Sequence, residues 1–316
     1  MDRQPEVIAI GEILWDVIGT ERHLGGAPFN FAVHCRHLGA RSAIVSRVGQ
    51  DELGDEIVAR ARDLGVDGSL IQRDAAHPTG QVQVTLRAGG QPTFDIRSPA
   101  AYDHLAATPE AKSRVAAAGA IYFGTLAQRH STARQAITAL LEAASHHSGH
   151  RPLIVCDLNL RPPHYADRVI VDALARCDLL KLNDDELGIL QRVLGWEGSD
   201  QDAFLRHLIE TYDLALVCVT LGARGCILRT PQERVASPSY ACSVVDTVGA
   251  GDGFAAALVT SYLAGRPLEA VAERANLMGA YIATQRGATP PVTAEALTTF
   301  AARTKRAPEV THRSQR

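Results

Sequence analysis

A chain of 316 residues is long for one compact core, yet within the range of a single α/β domain. Apolar residues make up 46% and charged residues 21%, the balance of a soluble globular protein, and the net charge of −3 argues against a general nucleic-acid or anionic-membrane surface. No run approaches the length of a membrane span, no signal peptide is expected, and the six scattered cysteines lack CxxC spacing and read as reduced core thiols of a cytoplasmic protein. His34 and His37 flank Cys35, and His146, His147 and His150 cluster after a predicted helix. Neither group has zinc-ligand spacing, so both read as surface or core histidines.

In chain order, residues 7–14 (VIAIGEIL) form a buried-strand pattern with Asp16 just beyond it. Ligands of open α/β sheets bind at the carboxyl ends of strands, so Asp16 is either a ligand residue or a loop-capping Asp. Gly25, Gly26 and Pro28 lead into a helix over about 30–38 that Gly39 ends. A strand at 42–48 and a helix through about Leu64 follow. Residues 81–87 and 93–97 alternate polar and apolar around Gly89 and Gly90, the pattern of a hairpin with one wet face. The surrounding strands are continuously apolar, as parallel strands covered on both faces are. A small antiparallel unit is therefore inserted in a parallel body, either as a mobile lid (about 15–24 and 79–103) or as a decorative edge.

Strand and helix then alternate: strands at 120–123, 153–157, 179–182 and 214–220, helices at 131–145, 169–176 and 202–212, and a short extended piece at 226–229. Helices at about 253–264, 268–285 and 294–302 close the chain, and the polar stretch 304–316 is expected to fray. Regular alternation implies one mostly parallel sheet with helices on both faces, in a single domain spanning 1–316.

Four islands fall just after predicted strands: DLNLR (157–161), NDDE (183–186), TLGARG (220–225) and DTVGAGDGF (246–254). Strand ends of one parallel sheet converge, so the islands can line one cleft. In the last of them, glycines precede a helix of small and apolar residues. The unpaired N–H groups and the dipole of that helix start favour an anion. Asp252 inside this anion site is a helix cap, a catalytic base, or both. Asn183 and Glu186 suit a hydrated Mg²⁺, Thr220, Gly222 and Gly225 allow close approach of a nucleotide, and Arg161 and Arg224 can neutralise phosphate.

Taken together and in this order, the islands are specific. With GGAPFNFAVHCRHLG, GEILWD and ANLMGAYIATQRGATPP, the chain resembles the PfkB/ribokinase family of carbohydrate kinases over nearly its whole length, and its bacterial fructokinases most. The resemblance implies a three-layer α/β/α body with a β lid and ATP-dependent phosphorylation of a sugar hydroxyl. It places Asp252 as the base and the N–H groups of Gly249, Ala250 and Gly251 as the anion hole. Asp16, Gly25, Gly26 and Asn30 would bind the sugar. Asn183 and Glu186 would serve phosphate and Mg²⁺, and residues 220–225 with Asn276 would contact ATP. A monovalent cation such as K⁺ would lie near Asp246 and the carbonyls of Val248, Ile282, Gln285 and Gly287. Fructose is the first expected substrate. Arg97 and Arg161 resemble positions that bind an acid sugar such as 2-keto-3-deoxygluconate, though Arg97 also reads as a solvated lid residue. A nucleoside kinase and a non-catalytic binding regulator are the remaining readings. A homodimer through the lids is a further expectation, from the resemblance and the hairpin's exposed edge.

Overall fold

The computed structural model describes residues 6–86, 92–145 and 151–307. The strands in chain order are β1 (Glu6–Ile10), β2 (Leu14–Ile18), β3 (Glu21–Gly25), β4 (Arg41–Gly49), β5 (Ile71–Asp74), β6 (Gly80–Leu86), β7 (Pro92–Ile96), β8 (Ala120–Phe123), β9 (Leu153–Asp157), β10 (Leu179–Asn183), β11 (Leu216–Thr220), β12 (Cys226–Arg229) and β13 (Arg234–Ser237). The helices are α1 (Ala27–His37), α2 (Glu52–Asp63), α3 (Pro109–Ala116), α4 (Ser131–Ser145), α5 (Asp167–Leu174), α6 (Asp184–Val193), α7 (Gln201–Tyr212), α8 (Ala250–Leu263), α9 (Leu268–Ala283) and α10 (Ala294–Arg303).

Nine strands form one sheet in the order β13-β12-β11-β10-β9-β8-β1-β4-β5, parallel from β11 to β5 with an antiparallel end at β12 and β13. Both faces are buried, so the period of two along β1 divides its residues between two cores. Ile8 and Ile10 belong to the core that also holds residues of α4, α5 and α7, while Val7 and Ala9 belong to the one that holds residues of α1, α8 and α9. Continuous apolar strands are the sequence form of that arrangement. The expected parallel body with helices on both faces is thus observed.

The second sheet has the order β3-β2-β6-β7. Its outer pairs are antiparallel and its central pair, β2 with β6, is parallel. The expected 81–97 hairpin is β6 with β7, and its Gly89–Gly90 turn lies outside the described residues. Residues 7–14 are not one strand as expected. The main sheet takes only β1, and Gly11, at φ 150°, turns the chain toward β2 in the lid. A Cβ at Gly11 would stand 2.7 Å from Pro28 Cγ, so the break is tightly packed as well as permissive. Trp15 anchors β2, buried and donating from Nε1 to the Leu53 carbonyl at 3.2 Å.

Elements the pattern did not reveal are short or polar: β5, β13, α3 and α6. The expected fraying from residue 304 is also corrected in part. Ala241 N–H donates to the Lys305 carbonyl, Ala307 N–H donates to the Ser239 carbonyl, and Arg306 binds Glu273 at 2.9 Å. Residues 308–316 and His146, His147 and His150 lie outside the described residues.

Candidate active site

The carboxyl ends of β1, β9, β10 and β11 share one edge of the sheet. A cavity of about 390 Å³ opens there, between the sheet, the lid and the start of α8. The lid contributes by strand alternation: Leu14 and Asp16 face the cavity while Trp15 between them faces the core. Val82 and Ile96 supply the apolar part of the lid wall.

The GAGD turn starts α8. Gly249 is its N-cap at φ 77°, and a Cβ there would stand 2.2 Å from the Ala288 carbonyl oxygen, so only glycine fits. Ala250, Gly251 and Asp252 are the first three helical residues, and no side chain caps the helix. That removes the capping reading of Asp252. Its carboxylate instead accepts a 2.8 Å hydrogen bond from Asn30 Nδ2, on α1. Gly249 and Gly251 stand in the cavity wall, and between them Ala250 N–H donates to the Thr247 carbonyl at 3.2 Å.

Three carboxyl groups on the lid side of this turn are held above their ordinary range. Asp252 is pushed up to about 6, by loss of water around it and by the charge of Asp157, against the pull of Asn30, Lys181 and Arg161. Asp16 is also raised to about 6, by burial, against Arg161 and His23. Glu12 is raised to about 7, chiefly by burial, and its Oε2 has no hydrogen-bond partner. Arg161 is the exposed cation at this end of the cavity.

Across the turn lies a buried pair that the expectations missed. Lys181 Nζ donates to Asp157 Oδ2 at 2.8 Å, and Tyr122 Oη donates to the same oxygen at 3.0 Å. Burial works against the Lys181 ammonium, but Asp157 and Glu186 outweigh it and hold the group above its ordinary value. A Cβ on Gly251 would come within 3.9 Å of Lys181 Nζ, so this cation lies beside the anion-binding turn. Asp157 Oδ1 has no hydrogen-bond partner. The signal for Lys181 was a lone lysine in the apolar strand LLKLN, and for Glu12 a lone acid in VIAIGEIL. Asn159, also in the wall, takes φ 39°, a left-handed conformation that Asn tolerates.

Asn183 and Glu186 both reach the cavity, and they also form a capping box at the start of α6. Glu186 accepts from the N–H groups of Leu160 at 2.8 Å and Asn183 at 2.9 Å, while Asn183 Oδ1 accepts from Glu186 N–H. The N-x-x-E spacing is thus a helix-start signal as well as a ligand signal. Thr220 lines the cavity beside them.

Other expected residues fall outside the wall. Gly25 lies behind Asp16, where a Cβ would stand 2.4 Å from Oδ2, whereas Gly26 is in the wall itself. Arg97 is exposed after β7 and donates to Gln81 at 3.4 Å. Gly222 and Gly225 form a tight turn, packed at Gly225 against the Ser237 carbonyl, and Arg224 pairs with Asp184 at 2.5 Å. Asn276 is buried away from the cavity, donating to the Ser237 carbonyl at 3.1 Å and its hydroxyl at 3.2 Å. Asp246 clamps two loops, accepting from Val248 N–H and Gly287 N–H, each at 3.0 Å, while the Ile282 carbonyl accepts from Gln285 N–H.

Comparison with known proteins agrees with this geometry. Residues 5–295 match the pfkB family carbohydrate kinase description. Fructokinase-1 of Oryza sativa subsp. japonica is 31% identical over 319 residues, covering 93% of this chain and 96% of the relative. An uncharacterized sugar kinase from Pyrococcus horikoshii, solved in complex with ATP, superposes with a TM-score of 0.80 at 27% identity, covering 92% of this chain and 97% of that one. A double-mutant fructokinase from Vibrio cholerae, solved with fructose, ADP and a potassium ion, gives a TM-score of 0.81 at 25% identity, covering 95% and 99%. The chain belongs to the pfkB family of carbohydrate kinases, phosphotransferases that act on a sugar hydroxyl.

Proposed function

We propose that the protein phosphorylates a neutral sugar, fructose to fructose 6-phosphate, with ATP as donor. The observation that carries this reading is the Asn30–Asp252 pair at the start of α8, in a cavity where Glu12, Asp16 and Asp252 face Arg161, the one arginine in the wall among the described residues. Carboxyl groups and amides suit hydroxyls. The carboxylate of an acid sugar would meet three acidic groups there and one exposed arginine. The fructose-bound relative supports the same choice.

In this reading Asp16, Gly25, Gly26 and Asn30 hold the sugar between lid and α1, with Arg161 at its rim. Asp252 accepts the hydroxyl proton as the sugar oxygen forms its bond to the γ-phosphorus and the bond to ADP breaks. The N–H groups of Gly249, Ala250 and Gly251 serve the charge that develops on the transferred group, Ala250 N–H exchanging its 3.2 Å bond to the Thr247 carbonyl for it. Lys181 adds a fixed positive charge on the same side. Thr220, Gly222, Gly225 and Asn276 belong to the nucleotide side, Asn276 by supporting β12 and β13. Closure of the lid excludes water, which otherwise competes with the sugar.

Mg²⁺ accompanies ATP. Asp157, with its unpartnered Oδ1, and Asn183 and Glu186 are oxygen donors that fit a hydrated ion, which neutralises phosphate charge when bound. A potassium ion would find oxygen donors in Asp246 and the carbonyls of Val248, Ile282, Gln285 and Gly287. Among the described residues no helix is long and apolar enough to cross a membrane. The six cysteines carry no disulfide, five of them buried, which supports a reducing, cytoplasmic setting. The lid's outer strands and exposed Ile18 support a homodimer through the lids, which monomer-sized elution at working concentration would contradict.

The test is ADP release with Mg·ATP and K⁺ across a panel of sugars and nucleosides. Turnover of fructose with little on 2-keto-3-deoxygluconate is expected. Preference for the acid sugar overturns the neutral-sugar reading, preference for a nucleoside overturns the sugar, and no turnover on any acceptor points to a binding regulator.

A further inference from the structure

We propose that His34 is a positioning residue that sets the placement of the Gly249 turn relative to Asp252, acting through the carbonyl of Ala288. This rests on the reading of residues 249–251 as the anion hole. His34 is fully buried on α1, one helical turn after Asn30. Residues four apart share a helix face. From that face Asn30 holds the Asp252 carboxylate at 2.8 Å, and His34 Nε2 meets the Ala288 carbonyl oxygen at 2.9 Å.

Ala288 is the floor of the turn. A Cβ placed on Gly249 would come 2.2 Å from the Ala288 carbonyl oxygen and 2.7 Å from its Cα, so the two backbones are in close packing. A shift of Ala288 is therefore passed to Gly249. Asp246 ties the neighbouring Gly287 N–H to the same loop at 3.0 Å. His34 also packs under α8: a Cβ on Gly253 would lie 3.4 Å from His34 Cδ2. One face of one helix thus fixes both the base and the anion hole, and so their separation.

The imidazole is suited to this because burial disfavours its charged form. Burial, opposed by the bond to Ala288 and aided by His37, pushes its pKa down to about 4. Nε2 is the donor to the carbonyl, and Nδ1 is bare, with no hydrogen-bond partner. A carbonyl that takes no step in the reaction is held by a donor that stays neutral through the working pH range.

Three variants separate this from plain packing. Gln carries its amide nitrogen where the imidazole has Nε2, Asn carries it near Nδ1, and Leu has no donor. His34→Leu and His34→Asn are expected to lower kcat by about 10²-fold, the scale of a misplacement near 1 Å, with KM for ATP and sugar little changed. His34→Gln is expected to recover most of kcat. In the wild-type protein, ¹⁵N NMR is expected to show a neutral Nε2–H tautomer that does not titrate between about pH 5.5 and 8. Wild-type kcat in His34→Leu overturns the proposal. So does a loss shared by all three variants in step with a fall in Tm, which is packing alone. A titrating ring or the Nδ1–H tautomer also overturns it. If Asp252→Asn keeps the wild-type rate, the reading of this helix start as the catalytic centre fails instead, and the tautomer still reports on the His34 contact.

Discussion

Asp252→Asn lowers kcat by about 10²–10⁴-fold, the usual contribution of a general base, while ATP binding measured by calorimetry stays near wild type. The amide keeps the size of the carboxylate but cannot accept the hydroxyl proton. Unfolding does not explain such a loss. The pKa of Asp252 is raised in the folded protein from 3.8 to about 6. A group raised on folding contributes stability that is full below the unfolded value and is lost as pH rises through the folded one. At neutral pH its ionised form opposes folding, and a neutral Asn removes that opposition. The same shift fixes the pH profile. The base works deprotonated, so log kcat/KM for the wild type, which reports the free protein, is expected to fall with decreasing pH below about 6 and to be level above it. A profile flat to pH 4.5, or a variant within about threefold of wild type, contradicts the role of Asp252.

Lys181→Met destabilises the fold by about 3–5 kcal/mol, the scale observed when one member of a buried ion pair is removed. Lys181 and Asp157 are 6% and 2% exposed, so the loss leaves Tyr122 as the remaining donor to Asp157 Oδ2 among the described residues. The double variant Lys181→Met with Asp157→Asn recovers much of the loss, because the stranded charge is gone. Urea midpoints of the two variants measure this directly. A single variant within about 1 kcal/mol of wild type shows that water reaches Asp157 and that the pair is not desolvated. Activity falls in both variants if Lys181 stabilises the transferring group, because neither retains its charge.

Much of this site was legible in the sequence for physical reasons. A turn that needs φ near 77° beside a packed carbonyl must use glycine, so G-A-G-D is written in residue types. The strands between two helix layers must be apolar on both faces, so they too are plain. What stayed hidden follows from contact rather than pattern. Lys181 and Asp157 lie in different strands and mean little until register places them opposite each other. The split between β1 and β2 was masked because both halves of VIAIGEIL are buried, one in the body and one under the lid. NDDE carried two messages at once, a helix start and an oxygen-ligand set. Asn276 was placed by resemblance, and the structure gives its amide to the Ser237 carbonyl and hydroxyl, outside the cavity wall.

Two-dimensional ¹H–³¹P NMR of the product made from fructose and Mg·ATP tests the central claim most directly. The account predicts one fructose monophosphate, its phosphorus coupled to the C6 methylene protons, formed in step with ADP. Phosphate on another carbon, or no phosphorylated fructose while an acid sugar is consumed, contradicts it.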